Sequence, residues 1–468
     1  MNLPIILRNL LLLTVCTKTQ GIGGLGKFEE VFAWKQLTYN IDGNTIFQNV
    51  LSEELINGTE KAKTYAATIV FNDEDNDDIR ALNHGLPTSD SATAKDPNDE
   101  VGSYFIQYNN VPFGVERVGN RLFVTVARRR YGIPSTLNYI DLTRQGDDRS
   151  PPLAPYPDVR RARTLVSVYR TRADECGRLW MVDTGALEIP NNTQQIQPPA
   201  VVAFDLNTDT QLLRYQLKDS DLPAPSTPAG LASISVLVKN GACDDTFVYV
   251  ADVATYGVIV YSLKANDSWR HSHNYFHFNP TAGNLRVAGQ RFQWNDGVFS
   301  VAIGAQDSDG CAMAYFHPMV SRHEFSVSTC VLENRVTNQT EFNIVGDRGE
   351  ASQCTMHALH APSNVMFFAE IGRDAVSCWR AGSTLTPSNI AVLAQDDDLL
   401  SYPSDLRVYG DEVWVLSNSL PRFIYSRLDT NRFNFYVYRA NVRDLIAGTV
   451  CSVTPAGTSA ASYNYGGR

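Results

Sequence analysis

The stretch RLWMVDTG (178–185) decides the fold, because five other segments repeat its pattern. They are RLFVTVAR (121–128), TFVYVADV (246–253), CAMAYFHP (311–318), NVMFFAEIG (364–372) and EVWVLSN (412–418). Each is a β-branched and aromatic run, the composition of a buried strand. Turn-forming pairs such as Gly119-Asn120, Asp309-Gly310 and Gly410-Asp411 stand just before them. Six copies of one unit indicate a repeat architecture.

Working outward, a shorter apolar run precedes each copy, for example PFGVERV (112–118), LASISVLV (231–238) and SDLRVYG (404–410). Another follows, such as TLNYIDL (136–142), GVIVYSL (257–263) and, in the sixth unit, RFIYSRL (422–428). LLRYQL (212–217) and FNFYVYRA (434–441) add fourth strands. Strand, turn, strand, turn, strand and a looser outer strand describe one blade of a propeller. The spacing is too long and uneven for WD repeats, and no GH…WD signature occurs. Length alone would also accommodate two β-sandwiches. Six ordered units without a Pro/Gly/Ser-rich linker favour an all-β, six-bladed β-propeller over 21–451. FEEVFAWKQLTYN (28–40) and YAATIVF (65–71) precede the first unit; one of them is expected to supply the last blade's outer strand and close the ring.

The N-terminal MNLPIILRNLLLLTVCTKTQ has the basic, apolar and polar order of a secretory signal peptide over 1–20. Its apolar run is too short for a permanent membrane anchor. Sequons at Asn57, Asn191, Asn266 and Asn338 agree with secretion. Seven cysteines remain after the signal peptide, so one is unpaired. If Phe316 faces Phe325 in a hairpin, Cys311 is directly opposite Cys330. Cys176 and Cys243 sit in equivalent turns of neighbouring units, which suits a blade-to-blade bridge. Cys378 and Cys451 would tie the C-terminal segment to the fifth unit, leaving Cys354 spare.

The net charge of −10 and the lack of a basic stripe argue against a nucleic-acid partner. Arg128-Arg129-Arg130 is the one dense basic cluster, either a solvated rim or part of a pocket. The acidic excess lies in 71–100, expected as a surface loop, and 452–468 as a disordered tail. GIGGLG (21–26) lacks the strand and helix that a dinucleotide site needs, and is expected to be a flexible N-terminus. His271, His273 and His277 share parity, as metal ligands on a strand would, but an exposed outer strand explains them as well. No metal site is assigned, and no local motif announces catalysis.

A propeller does offer a channel, where inner-strand polar groups converge. The ligand-binding candidates are Phe113, Glu116, Ser233, Asp296, Gln353 and Ser404, with Arg170 and Asp405 beside them and Asp183 and Asp252 at second-strand ends. Each of these polar groups is equally suited to binding only water.

The runs SWRHSHNYFHFNP (268–280), RFQWNDGVFS (291–300), CGRLWMVDTG (176–185), CDDTFVYVADVATYGVIVYSL (243–263) and DLIAGTVC (444–451) resemble the yellow / major royal jelly protein family of insects. The resemblance is collinear over 28–451. It implies a secreted six-bladed propeller with roles in melanin pigmentation and cuticle. Some members behave as dopachrome-converting enzymes, and others as non-enzymatic binders of biogenic amines. Ser404 stands where the family often has Asn, and Cys330 and Cys354 look like additions to its cysteine set.

Two functions follow as expectations. A dopachrome tautomerase needs a base, with Asp405 or Asp183 as candidates, and a carboxylate clamp, with Arg128 or Arg170; it needs no cofactor. A binder of a catecholamine or indoleamine needs a carboxylate and an aromatic face, for which Asp405 and Phe113 are candidates. The expected partner is thus a small aromatic amine or quinone, with cuticle matrix as a further partner of a structural protein.

Overall fold

The computed structural model describes residues 24–47, 50–51, 104–144, 146, 148–189, 193–224 and 230–452. The proposed signal peptide, the acidic 71–100 segment, YAATIVF, the C-terminal tail beyond 452, Asn57 and Asn191 lie outside these residues.

Six four-stranded antiparallel sheets follow one another along the chain, each beginning with its innermost strand. Blade 1 starts at Gly114–Val118, blade 2 at Val168–Ala173 and blade 3 at Leu231–Val238. Blades 4, 5 and 6 start at Val298–Gln306, Cys354–His360 and Pro403–Tyr409. The innermost strands touch in cyclic order, the sixth against the first. The architecture is a six-bladed β-propeller.

The repeated phrase is the second strand of every blade. Its sequence is apolar throughout because both of its faces are buried. In Arg178–Asp183, Leu179 and Met181 pack with Phe123 and Tyr156 of blade 1, while Trp180 and Val182 pack with Val248 and Val250 of blade 3. Alternate residues therefore fill the two neighbouring seams.

The sixth blade departs from the expected order. RFIYSRL (422–428) is not its third strand; Leu420–Tyr425 is a short helix opened by Pro421, with Leu420 and Phe423 buried three positions apart. The third strand is Phe435–Asn441, from the segment expected to be outermost. The outer strand is the N-terminal Glu29–Trp34, which pairs antiparallel with Phe435–Asn441 and buries Trp34. Trp34 Nε1 also donates to the Pro151 carbonyl at 2.9 Å, linking this strand to the first blade's segment. Gly24, expected in a flexible terminus, exchanges two backbone hydrogen bonds with Gln395 of blade 5.

All three disulfides pair as read from the sequence: Cys176–Cys243, Cys311–Cys330 and Cys378–Cys451. Phe316 does face Phe325. Cys354 is a buried free thiol. Among the described residues no helix is long and apolar enough to cross a membrane.

Candidate functional site at the channel mouth

Inner strands splay apart around the axis, so backbone groups on their facing edges find side-chain partners instead of a ladder. Most channel candidates do this work. Ser233 Oγ donates to the Phe299 carbonyl, joining blades 3 and 4. Ser404 Oγ donates to the Phe113 carbonyl at 3.2 Å, joining blades 6 and 1. Asp405 Oδ2 accepts the Val115 N–H at 2.9 Å across the same seam, and Glu116 Oε1 accepts the Ala173 N–H at 3.0 Å between blades 1 and 2.

Three arginines stand among these acids. Arg170 donates to the carbonyls of Ala232 and Ser404, and its Nε lies 3.8 Å from Asp405. Arg407 lies 3.5 Å from Asp405 and 3.3 Å from Glu116, and Arg172 lies 3.5 Å from Glu116. Burial raises the Glu116 pKa, against the pull of Arg172 and Arg407, and lowers that of Arg170 against Asp405. Asp405 is fully buried. These charges join the inner strands of blades 1, 2 and 6 around the axis.

Three further candidates hold loops. Arg128 is buried and donates to the carbonyls of Ile133, Pro134, Leu165 and Val166. Asp183 accepts the N–H groups of Val166, Ser167 and Gly185, and Asp252 those of Gly230, Ala254 and Thr255. Each closes a turn with its side chain, and none faces an open site.

The mouth itself is built around Tyr402, the residue before the blade 6 inner strand, held at a left-handed φ of 54°. Its N–H donates to Asp374 Oδ1 at 3.1 Å. Trp294 meets its ring edge-on at 5.9 Å and is hydrogen-bonded through Nε1 to Tyr425 OH. Phe292 stacks on Tyr425 at 5.0 Å, so the hairpin Asn284–Val287/Gln290–Gln293 and the blade 6 helix form one aromatic wall. Beneath it Phe113 meets Tyr169 at 5.2 Å, and the Phe299 ring receives the Arg170 guanidinium at 4.8 Å.

Two charged groups face this wall. Asp296, partly exposed, has its carboxyl pushed up to about 6 by desolvation, which the Arg129 guanidinium opposes. Asp296, Arg129 and Tyr425 all act electrostatically on the Tyr402 hydroxyl. Unlike Arg128, Arg129 makes no side-chain hydrogen bond to a described residue. Gln353 donates to the Ala282 carbonyl at 2.8 Å, leaving its buried Oε1 unpartnered. The mouth thus offers a carboxylate near neutrality, an uncommitted guanidinium and stacked aromatic faces. Of the sequence candidates it gathers Asp296, Gln353 and Phe113. Arg129, Trp294, Tyr402 and Tyr425 are additions; the basic cluster and the Trp-Asn-Asp run at 294–296 were their only local signals.

His271 and His273 belong neither here nor on an exposed strand. His271 is buried with Nε2 2.8 Å from the Leu332 carbonyl, and His273 stacks on Phe342 at 4.2 Å. His277 packs its ring on Tyr256 at 4.5 Å. The sequons at Asn266 and Asn338 are in exposed turns.

A family model described as Major royal jelly protein matches residues 166–451. The chain belongs to the major royal jelly protein family. Its relatives include L-dopachrome tautomerase yellow-f of Drosophila melanogaster, 42% identical over 359 residues, covering 74% of this chain and 83% of the relative. Protein yellow of Drosophila melanogaster is 40% identical over 361 residues, covering 75% of this chain and 66% of the relative. This royal jelly family member also overlays virginiamycin B lyase from Staphylococcus aureus with a TM-score of 0.38 at 10% identity, over 71% of this chain and 95% of that one.

Proposed function

We propose that this yellow-family protein acts in melanin pigmentation as a secreted dopachrome-converting isomerase, with the reaction at the channel mouth. One observation carries the reading. An uncommitted Arg129 and a carboxyl tuned near neutrality, Asp296, share an aromatic mouth in a chain 42% identical to a named L-dopachrome tautomerase. Arg129 holds the substrate carboxylate, and the indole-quinone ring lies against Trp294 and Tyr402. Asp296 takes the proton released from the substrate carbon and passes it to solvent, from which a quinone oxygen gains one. The product is an isomer, so the step requires no oxidant or reductant. A base with a pKa near the working pH suits such a transfer. Three disulfides are what an oxidising extracellular compartment sustains.

Purified protein mixed with dopachrome should accelerate the decay of its visible absorbance above the spontaneous rate. A second reading draws on the same carboxylate and aromatic wall: capture of a catecholamine or indoleamine cation. Saturable amine binding by calorimetry without acceleration of dopachrome decay would select that reading and reject the first.

A further inference from the structure

Between blades 4 and 5, three potential metal ligands converge. His317 comes from the second strand of blade 4, Glu324 from the third, and His357 from the inner strand of blade 5. All three are buried, and their ligand atoms lie within 4.8 Å of one another. His317 Nδ1 is 3.1 Å from Glu324 Oε2, and His357 Nε2 is 3.0 Å from Glu324 Oε1.

The far side of each ring is already committed. His317 Nε2 lies 3.2 Å from the carbonyls of Cys354 and Thr355, both acceptors, so this nitrogen carries the proton. His317 Nδ1 is then a lone pair aimed at a carboxylate. His357 Nδ1 sits 2.7 Å from Ser300 Oγ. Its Nε2 lies 3.0 Å from Glu324 Oε1. The His317 lone pair and the carboxylate oxygen beside it repel unless a cation lies between them. Ring N–H groups anchored on oxygen acceptors are also the usual outer partners of metal-bound histidines.

We infer that His317, His357 and Glu324 form a structural binding site for a divalent ion of the zinc class. Imidazole and carboxylate donors suit that ion, and bonds of about 2.0–2.2 Å place neighbouring donors roughly 3 Å apart, as each histidine nitrogen is from its carboxylate oxygen. With Glu324 bidentate, the four donors close the coordination without water. Arg348 donates to Glu324 Oε2 at 2.6 Å and to the carbonyls of Ser321, His323 and Ser352, so it orients the carboxylate from outside. Glu370, also buried, pairs with Arg373 at 3.4 Å and lies in the field of Arg348, while burial raises its pKa. The bound ion would fasten blade 4 to blade 5, a seam that none of the three disulfides crosses.

The test is the metal content of the full-length secreted protein by plasma mass spectrometry. About one zinc per chain is expected, falling below a tenth in E324Q and H357Q. Wild-type protein unfolded with its disulfides intact and refolded in cobalt should develop a visible ligand-field band that zinc displaces. A wild-type protein without stoichiometric metal, and with no such cobalt band, would overturn the inference and leave a proton shared by the cluster. Metal retained in both folded variants would overturn it too, by placing the ion elsewhere. The wild-type measurements decide the matter even if a variant fails to fold.

Discussion

The Arg170 guanidinium of blade 2 reaches the Ser404 carbonyl of blade 6, a residue 234 positions further along the chain. With its second bond to the Ala232 carbonyl of blade 3, it links three blades and faces Asp405. Arg170→Ala would leave a buried carboxylate and two carbonyls without it. A loss of about 3–5 kcal/mol is expected, as when one partner of a buried pair is removed. The urea midpoint should fall accordingly, and Arg170→Lys should recover only part of it. A midpoint unchanged in Arg170→Ala would show that these charges do not hold the blades together.

Asp374 illustrates a cost of building the mouth. Desolvation raises its carboxyl to about 7, the nearby Asp396 and Asp397 add to the rise, and the Tyr402 N–H opposes it. A carboxyl whose folded pKa is raised is fully stabilising below its unfolded value, about 3.9, and that contribution is lost as pH rises through the folded value. The native state is therefore penalised above pH 7 by an amount on the order of 2–4 kcal/mol. Asp374→Asn keeps an oxygen for the Tyr402 N–H and removes the charge. Its melting temperature should exceed that of the wild type at pH 8, with the gap closing near pH 4.

Adjacent arginines should separate stability from chemistry. Arg128→Ala removes the donor to four buried carbonyls and should cost about 3 kcal/mol or more, given about 1–3 kcal/mol for each unsatisfied buried group with partial relaxation. Arg129→Ala should leave the unfolding midpoint within about 0.5 kcal/mol, as for a side chain that makes no hydrogen bond to a described residue. It should lower kcat/KM for dopachrome about 10- to 100-fold, the loss of one charged contact to a carboxylate. The reverse pattern would remove Arg129 from the proposed site.

The scaffold was legible because burial on both faces imposes a composition: Leu179, Trp180, Met181 and Val182 leave little choice but an interior strand. The hairpin register was legible too, since fixing Phe316 opposite Phe325 fixes every later pair by counting. RFIYSRL misled because its apolar residues suit either period at that length, and Pro421 just before it was the discriminating residue. The channel was less legible. Ser233, Ser404, Asp405 and Arg170 are polar on inner strands, as ligand groups would be, but their partners are carbonyls and amides of neighbouring blades. Those partners lie up to about three hundred positions away, and no local pattern announces them. Arg128 and Arg129 are chemically identical neighbours, and only the distant carbonyls of Leu165 and Val166 that Arg128 meets tell them apart.

The pH profile tests the base directly. Asp296 must be ionised to accept a proton, and desolvation has raised its carboxyl to about 6 against the pull of Arg129. Activity should therefore rise with pH and level off above about 7, with kcat/KM inflecting near 6, the free enzyme's value. Asp296→Asn should remove the inflection and lower kcat/KM about 10²- to 10⁴-fold, the usual contribution of a general base. Arg129→Ala should displace the inflection upward, because it deletes the charge that opposes desolvation. A profile in Asp296→Asn that kept both the wild-type inflection and the wild-type rate would assign the proton transfer to another group. Asp405 beneath the mouth would be the first to examine, although its oxygens already serve Val115 and its own strand.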